Sequence, residues 1–460
     1  MRRFIIVVLD SLGVGALPDA AAYSSLGTNT FGHIAESAPM NIPNLQRLGI
    51  GNVLPLANVP PAEAPAAAWG KMAALSAGMD TTCGHWEICG IILDKPFPVF
   101  PHGFPLEIIE PFCEAIGTDI LGNIPASGVE IIQRLGVNHM ATGRPIVYTS
   151  ADSTFQIAAH ESVIPVERLY EICRIARKML RGPYNVGRVI ARPFIGSAED
   201  GFTRTENRRD FSVQPPAGGL MEHCYRSYVP VTSVGKIYDI FAGQYIDKAY
   251  EGHNNKQSEE SLLQALEEQE EGFIFANFVD FDTLYGHRND VDGYRRAIEE
   301  FDLWLPDLTA KIGKEDILVI CADHGNDPTS PTYDHSREYV PLLVYGPQVR
   351  PHHLGIRASF ADLGQTAAEY LRTAPLAAGV SFLPDLFSTA RSCILKTSVP
   401  MWIRSYFCHD LLFFHGTVYS GKIDQDLRYF FHGLDRYVFV AAVKIMTACA
   451  KVWARQSHIR

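Results

Sequence analysis

The sequence predicts an α/β sandwich around a mostly parallel sheet, with a second domain inserted into it. Residues 4–9, 273–279, 316–322 and 340–345 are short runs rich in Ile, Val and Phe. Unbroken apolar runs of that length mark strands buried on both faces, as in a parallel sheet. Between them, Glu259 to Glu270 and Val291 to Ile312 are charged on one helical face and apolar on the other. Two strands stop at an acid, Asp10 and Asp323, and open α/β sheets place their ligands at strand carboxyl ends.

The middle of the chain has a different texture. Pro96, Pro98, Pro101 and Pro105 open it and Pro215-Pro216 close it, and proline clusters of this kind punctuate a chain at domain hinges. Inside lie a helical pattern, Val166 to Leu180, and a basic stretch with Arg192, Arg204, Arg208 and Arg209. The expected division is core 1–97, inserted domain 98–216 and core 217–388. Residues 389–460 differ again, with ten Lys plus Arg against four Asp plus Glu and three of the nine cysteines. Tyr437 to Trp453 has the pattern of an amphipathic helix. This basic, aromatic-rich extension reads as an added tail, with a partner- or membrane-surface segment as the sharper alternative.

Bulk properties narrow the function classes. The chain has 460 residues, 47% hydrophobic and 20% charged, an ordinary globular composition. A net charge of -11 argues against a nucleic-acid surface and requires a local basic pocket for an anionic substrate. The cysteines contain no C-x-x-C pair, which fits reduced thiols and a cytoplasmic location rather than a disulfide framework. The opening Met1-Arg2-Arg3 and apolar run reaches Asp10 too soon for a signal-peptide core, and no apolar stretch is long enough to cross a bilayer.

Six residues carry the chemistry: Asp10, Asp282, His287, Asp323, His324 and His335. Asp282 and His287 lie in Val279-Asp280-Phe281-Asp282-Thr283-Leu284-Tyr285-Gly286-His287, and Asp323-His324-Gly325-Asn326 ends another apolar run. Burying acids and histidines after apolar strands is costly without partners. Carboxylate suits a hard ion such as manganese and imidazole suits zinc and its neighbours, so three of each fit a pair of divalent ions, the apparatus of phosphoryl displacement. Asp280 and Asp334 are weaker candidates, as acceptors that orient a ligand histidine.

Asp80-Thr81-Thr82-Cys83-Gly84-His85-Trp86-Glu87 crowds hydroxyls and a thiol beside a glycine. Near a cation such a group becomes a nucleophile, although the segment alone reads as a polar turn with a half-buried Trp86. Gly13-Val14-Gly15-Ala16-Leu17-Pro18 begins like a dinucleotide loop but has Pro18 at the third glycine position, which argues against it.

With these pieces in place, the chain resembles phosphopentomutases of the alkaline phosphatase superfamily. The resemblance rests on Phe4 to Asp10, Phe31-Gly32-His33-Ile34-Ala35-Glu36, Pro43-Asn44-Leu45, Asp80 to Glu87, Ala191-Arg192-Pro193-Phe194, Phe202-Thr203-Arg204-Thr205, Asp282 to His287 and Asp323 to His335. It covers roughly residues 1 to 387. It implies an alkaline-phosphatase-like core, an inserted α+β cap and two divalent ions, usually manganese. It also implies exchange of phosphate between C1 and C5 of ribose or deoxyribose, through a phosphoenzyme and a 1,5-bisphosphate, with a sugar bisphosphate as primer. Asp10, Asp323 and His324 would hold one ion, and Asp282, His287 and His335 the other. Asp152 would face the sugar, and Arg192, Arg204, Arg208 and Lys236 would grip the phosphate that does not react, since arginine's planar fork suits phosphate oxygens. The expected partners are small pentose phosphates.

Cys83 departs from the family, which carries Thr or Ser immediately before Gly-His-Trp-Glu. Either Cys83 takes the phosphate or Thr82 shifts into its place. Formylglycine formation, as in sulfatases, would need a downstream Pro and Arg where this chain has His85 and Glu87. The alternatives are a phosphate-ester hydrolase, a phosphoglycerate-type mutase, and a silent sugar-phosphate binder disabled by Cys83.

Overall fold

The computed structural model describes residues 2–150, 153–331 and 334–387. Asp152 and the whole of 389–460, with the helix expected at Tyr437 to Trp453, lie outside them. The strands in chain order are β1 (Arg3–Leu9), β2 (Ala68–Met72), β3 (Leu121–Pro125), β4 (Ile146–Thr149), β5 (Thr154–His160), β6 (Arg188–Ser197) and β7 (Gly201–Arg204). They continue with β8 (Arg209–Ser212), β9 (Val231–Val234), β10 (Lys248–Tyr250), β11 (Gly272–Phe278), β12 (Ile317–Cys321), β13 (Val340–Tyr345) and β14 (His353–Arg357).

An eight-stranded sheet runs in the order β10-β9-β11-β1-β12-β13-β2-β14. Its centre is β1, every residue of which is buried, and which pairs in parallel with β11 on one side and β12 on the other. Leu9 lies opposite Phe278 and Val8 opposite Cys321, so three strands end together at one edge. The expected parallel core is therefore present on this side of the sheet. The run 340–345 does form a strand, but β13 is antiparallel to both β12 and β2. An apolar run buried on both faces reports burial, and the chain's route between strands sets direction.

The helices expected among the described residues form. Asn255–Glu268 starts at Asn254, whose side chain accepts from Gln257 N. Val291–Ala310 is capped by Asp290 and buries Tyr294, Ala297, Ile298, Phe301 and Leu308, one face at helical spacing. Asp80 to Glu87 is not a polar turn: Asp80 caps a helix, Thr81–Ile88, and Trp86 is fully buried, with its indole N–H donating to Ile240 O at 3.1 Å. The difference arises because a short helix buried on all sides shows no amphipathic period. No helix of the described residues is long and apolar enough to cross a membrane.

A second sheet, β3-β4-β5-β6-β7 with β8 also paired to β6, mixes parallel and antiparallel pairs. On one face Phe104, Ile108, Phe112, Phe155, Leu169 and Cys173 form an apolar cluster. On the other, Ile131, Ile132, Tyr148, Phe194 and Phe202 form a second one.

The first strand is pinned at its start by a buried ion pair. Asp316, just before β12, accepts from the Arg3 backbone N–H at 3.1 Å and from its guanidinium Nε at 3.0 Å. The same guanidinium donates to the carbonyls of Leu266, Gln269 and Lys311. Removing one member of such a pair leaves a buried charge. Asp316→Ala is expected to destabilise the protein by about 3 kcal/mol, read as a lower midpoint in chemical denaturation; a shift below about 0.5 kcal/mol would contradict this account.

Candidate metal centre

The aligned ends of β11, β1 and β12 deliver the acids. Asp10 follows β1 directly, Asp323 comes two residues after β12, and Asp282 opens a helical turn, Phe281–Tyr285, just beyond β11. Neighbouring strands lie ~4.8 Å apart, so side chains leaving the same edge meet. All six residues singled out in the sequence come together there. Asp10, Asp323 and His324 each offer an atom within 4.8 Å of the others, and so do Asp282, His324 and His335. His324 Nε2 is 3.4 Å from Asp10 Oδ1 and 3.2 Å from Asp323 Oδ2. His287 Nε2 is 3.2 Å from Asp282 Oδ2 and 3.1 Å from His335 Nε2. The rings of His324 and His335 stack with centroids 3.9 Å apart, which joins the two groups.

Each carboxylate is oriented by the protein. Asp10 Oδ2 accepts from the Asn277 amide at 3.0 Å, Asp323 Oδ1 from the Ser11 N–H at 3.1 Å, and Asp282 Oδ1 from the Asn326 amide at 2.9 Å. Asp10 Oδ1 and Asp323 Oδ2 are buried and make no hydrogen bond; both face His324, and Asp323 Oδ2 also lies 3.1 Å from His85 Nδ1. Buried carboxylate oxygens left over in this way, beside imidazoles, are the donor set of a divalent cation. Asp280 instead exchanges hydrogen bonds with Asn255, and Asp334 is exposed.

The electrostatics agree with a cation site. Burial opposes charge on His324, but Asp323 and Asp10 outweigh it and hold its imidazole well above the ordinary value. Burial likewise opposes charge on Asp282 and Asp323. His335 and His287 nevertheless hold Asp282 well below the carboxylate range, and His324 and His85 do the same for Asp323.

The expected nucleophiles, Cys83 and Thr82, are not the side chains placed against the cluster. Cys83 is buried and its thiol donates to Asp80 Oδ2 at 2.8 Å. Burial, then Asp80, push that thiol far up, and a protonated thiol is a poor nucleophile. Thr82 Oγ1 makes no hydrogen bond to any of the six among the described residues. The hydroxyl on the cluster belongs to Thr81, with Oγ1 3.2 Å from His324 Nε2. The helix cap explains this. Asp80 turns back to accept from Cys83 N at 3.1 Å, so Cys83 faces the cap and Thr81, the first helical residue, faces the strand edge. Gly84 sits where a Cβ would come within 2.2 Å of Asp323 O, so the helix packs directly on the ligand segment. Sequence reading missed Thr81 because three reactive side chains in a row carry no sign of which one faces inward. It also missed Asn277, Asn326 and Ser11, which are silent until the strands are paired.

The basic residues gather on the second sheet. Arg192 is pushed down to about 10 by burial, then by Arg208, and its Nε donates to Gln156 Oε1 at 3.2 Å. Arg204 lies beside the buried Tyr148 hydroxyl: a Cβ on Gly128 would stand 2.1 Å from Arg204 Nη2 and 2.3 Å from that oxygen. Arg208 is engaged by Asp210 through Nε and Nη2 at 2.9 and 2.8 Å. Lys236 caps the helix Ile237–Ile240. Burial and Asp210 raise the carboxyl of Asp239 while Arg208 and Lys236 pull it down, and Lys236 also acts on Asp280. Lys236 therefore acts on carboxylates of both neighbourhoods.

The fold and donor set define a metalloenzyme, and the family model described as the Metalloenzyme superfamily matches residues 2–375. The phosphopentomutase of Caldanaerobacter subterraneus subsp. tengcongensis is 52% identical, over 84% of this chain and 98% of that protein. That of Desulfitobacterium hafniense is 53% identical, over 84% of this chain and 100% of its own. The chain belongs to the phosphopentomutase family. Among solved structures, a phosphoglycerate mutase of Leishmania mexicana is similar at a TM-score of 0.42 and 12% identity, covering 83% of this chain and 97% of that one.

Asp323 and Asp10 favour the protonated form of His324, so a divalent cation binding there would compete with a proton. Since that imidazole is held above its ordinary value, apparent metal affinity should strengthen as pH rises, with protons released on binding. Calorimetric titration with Mn²⁺ in two buffers of different ionisation enthalpy checks this; pH-independent affinity with no proton release would refute it.

Proposed function

We propose that this chain interconverts ribose or deoxyribose 1-phosphate and 5-phosphate, as a phosphopentomutase acting in nucleoside salvage and catabolism in the cytoplasm. The observation that carries the reading is the convergence of three acids, three imidazoles and the Thr81 hydroxyl at one strand edge, in a chain about half identical to phosphopentomutases along most of its length. Asp10, Asp323 and His324 would hold one divalent ion, and Asp282, His287 and His335 the other, with manganese favoured by the carboxylates. When bound, the ions more than neutralise three carboxylates and leave the site net positive toward a phosphate dianion.

The chain's own residues supply the rest. Thr81 Oγ1 takes the phosphoryl group of a sugar 1,5-bisphosphate: its O–P bond forms as the sugar O–P bond breaks, and its proton goes to the departing sugar oxygen. Phosphorylated Thr81 then gives this group to the free hydroxyl of an incoming pentose monophosphate, whose proton goes to Thr81 Oγ1; the phosphate at the opposite end of the resulting 1,5-bisphosphate next passes to Thr81 and the isomeric monophosphate leaves, so a bisphosphate primes the cycle. Arg192, Arg204 and Lys236 grip the phosphate that is not reacting. Arg208 is a weaker contributor because Asp210 already takes up its fork. Asp152 keeps the sugar-facing role that the resemblance implies. In this reading residues 98–216 form a cap over the core segments 1–97 and 217–388.

Two measurements test the reading. Ribose 1-phosphate and ribose 5-phosphate should interconvert with Mn²⁺ and a bisphosphate primer and should not after chelation. Steady release of free phosphate instead would favour the hydrolase. After loading with labelled bisphosphate, peptide mass spectrometry should find the phosphate on Thr81. Thr81→Ala should abolish labelling and lower kcat by at least about 10³-fold, the scale of losing an essential nucleophile, while Cys83→Ala should still be labelled. A label on Cys83 or Thr82 would overturn the assignment, and activity that first appears in Cys83→Thr would favour the silent binder.

A further inference from the structure

Asn277 is the only polar side chain in β11, whose sequence is GFIFANF, and it is fully buried. A polar side chain in the middle of a core strand is costly unless its hydrogen bonds are made. Its amide nitrogen is 3.0 Å from Asp10 Oδ2 and 3.2 Å from His85 Nε2. An amide carries two hydrogens, so one nitrogen serves both acceptors. His85 must then accept at Nε2 and carry its proton on Nδ1. That Nδ1 lies 2.8 Å from Thr81 O and 3.1 Å from Asp323 Oδ2. The imidazole is fully buried, with the Phe275 ring centroid 5.6 Å away, so it is clamped in place.

We propose that Asn277 and His85 form a positioning bridge that ties the Asp10 carboxylate to Asp323 and to the backbone of Thr81. Resting on the metal reading above, the bridge fixes which oxygen of Asp10 is left for a cation and locks the Thr81 helix to that geometry. Asp10 Oδ2 is consumed by the amide and Oδ1 remains toward His324. The tie reaches only the Asp10, Asp323 and His324 group, because Asp282 is oriented separately by Asn326.

The test is Mn²⁺ titration of the metal-free protein, read by electron paramagnetic resonance and calorimetry, for the wild type, Asn277→Leu and His85→Gln. Wild type should bind two ions and give an exchange-coupled spectrum. Both variants should keep one ion and lose affinity for the other by about 10- to 100-fold, the scale of removing an outer-sphere partner. The coupled spectrum should give way to the six lines of an isolated Mn²⁺. Thermal melting of the metal-free proteins separates this from unfolding, and His85→Gln, which leaves β11 intact, carries the test if Asn277→Leu does not fold. Two ions bound with unchanged affinity, or both weakened equally, would overturn the bridge. A wild type that binds no coupled pair would instead remove the two-metal reading itself.

Discussion

The parallel alignment of β11, β1 and β12 is the constraint on which the site depends. Three strands that begin and end together leave Asp10, Asp282 and Asp323 at the same edge of the sheet. Any one-residue slip of β1 would turn its side chains to the opposite face and carry Asp10 away from His324. The buried Arg3–Asp316 pair at the other end of the strand and the all-apolar faces of β1 hold that register. Here the packing core and the functional site are two ends of the same strands.

The polar groups buried at the cluster are matched only in part: one oxygen of each carboxylate has a donor, while Asp10 Oδ1, Asp323 Oδ2 and the side-chain oxygens of Asn277 and Asn326 have none. Ser11, Asn277 and Asn326 each occupy one carboxylate oxygen, and the oxygens left over point inward to the imidazoles. Low local dielectric makes such a network strong when complete and expensive when broken. The same matching extends outward. Thr30 donates to Glu338 and accepts from Asn326 N, which holds the segment carrying Asp323 and His324.

The second sheet contributes charge of the opposite kind. Arg192, Arg204 and Arg208 crowd around the buried Tyr148 phenol, which burial raises and these cations pull down. Among the described residues, Asp210 pairs with Arg208 at 2.8 Å. In a chain with a net charge of -11, this local excess of guanidinium has the chemistry to receive an anion. Lys236, acting on both Asp239 and Asp280, connects that excess to the metal-ligand edge.

By itself the sequence determined four strands of the eight-stranded sheet and the two long helices, because burial and helical period are local patterns. It also determined the six candidate ligands, because acids and histidines that follow apolar runs have few other reasons to be there. Only the tertiary structure decided the direction of β13, the helix at Thr81–Ile88, and that the Thr81 hydroxyl is the one placed against His324. Those depend on which way a cap turns and which strands lie side by side. Asn277 and His85 were illegible for the same reason: an asparagine in an apolar strand and a histidine in a short helix acquire meaning only when a third residue, Asp10, is brought between distant segments to meet them.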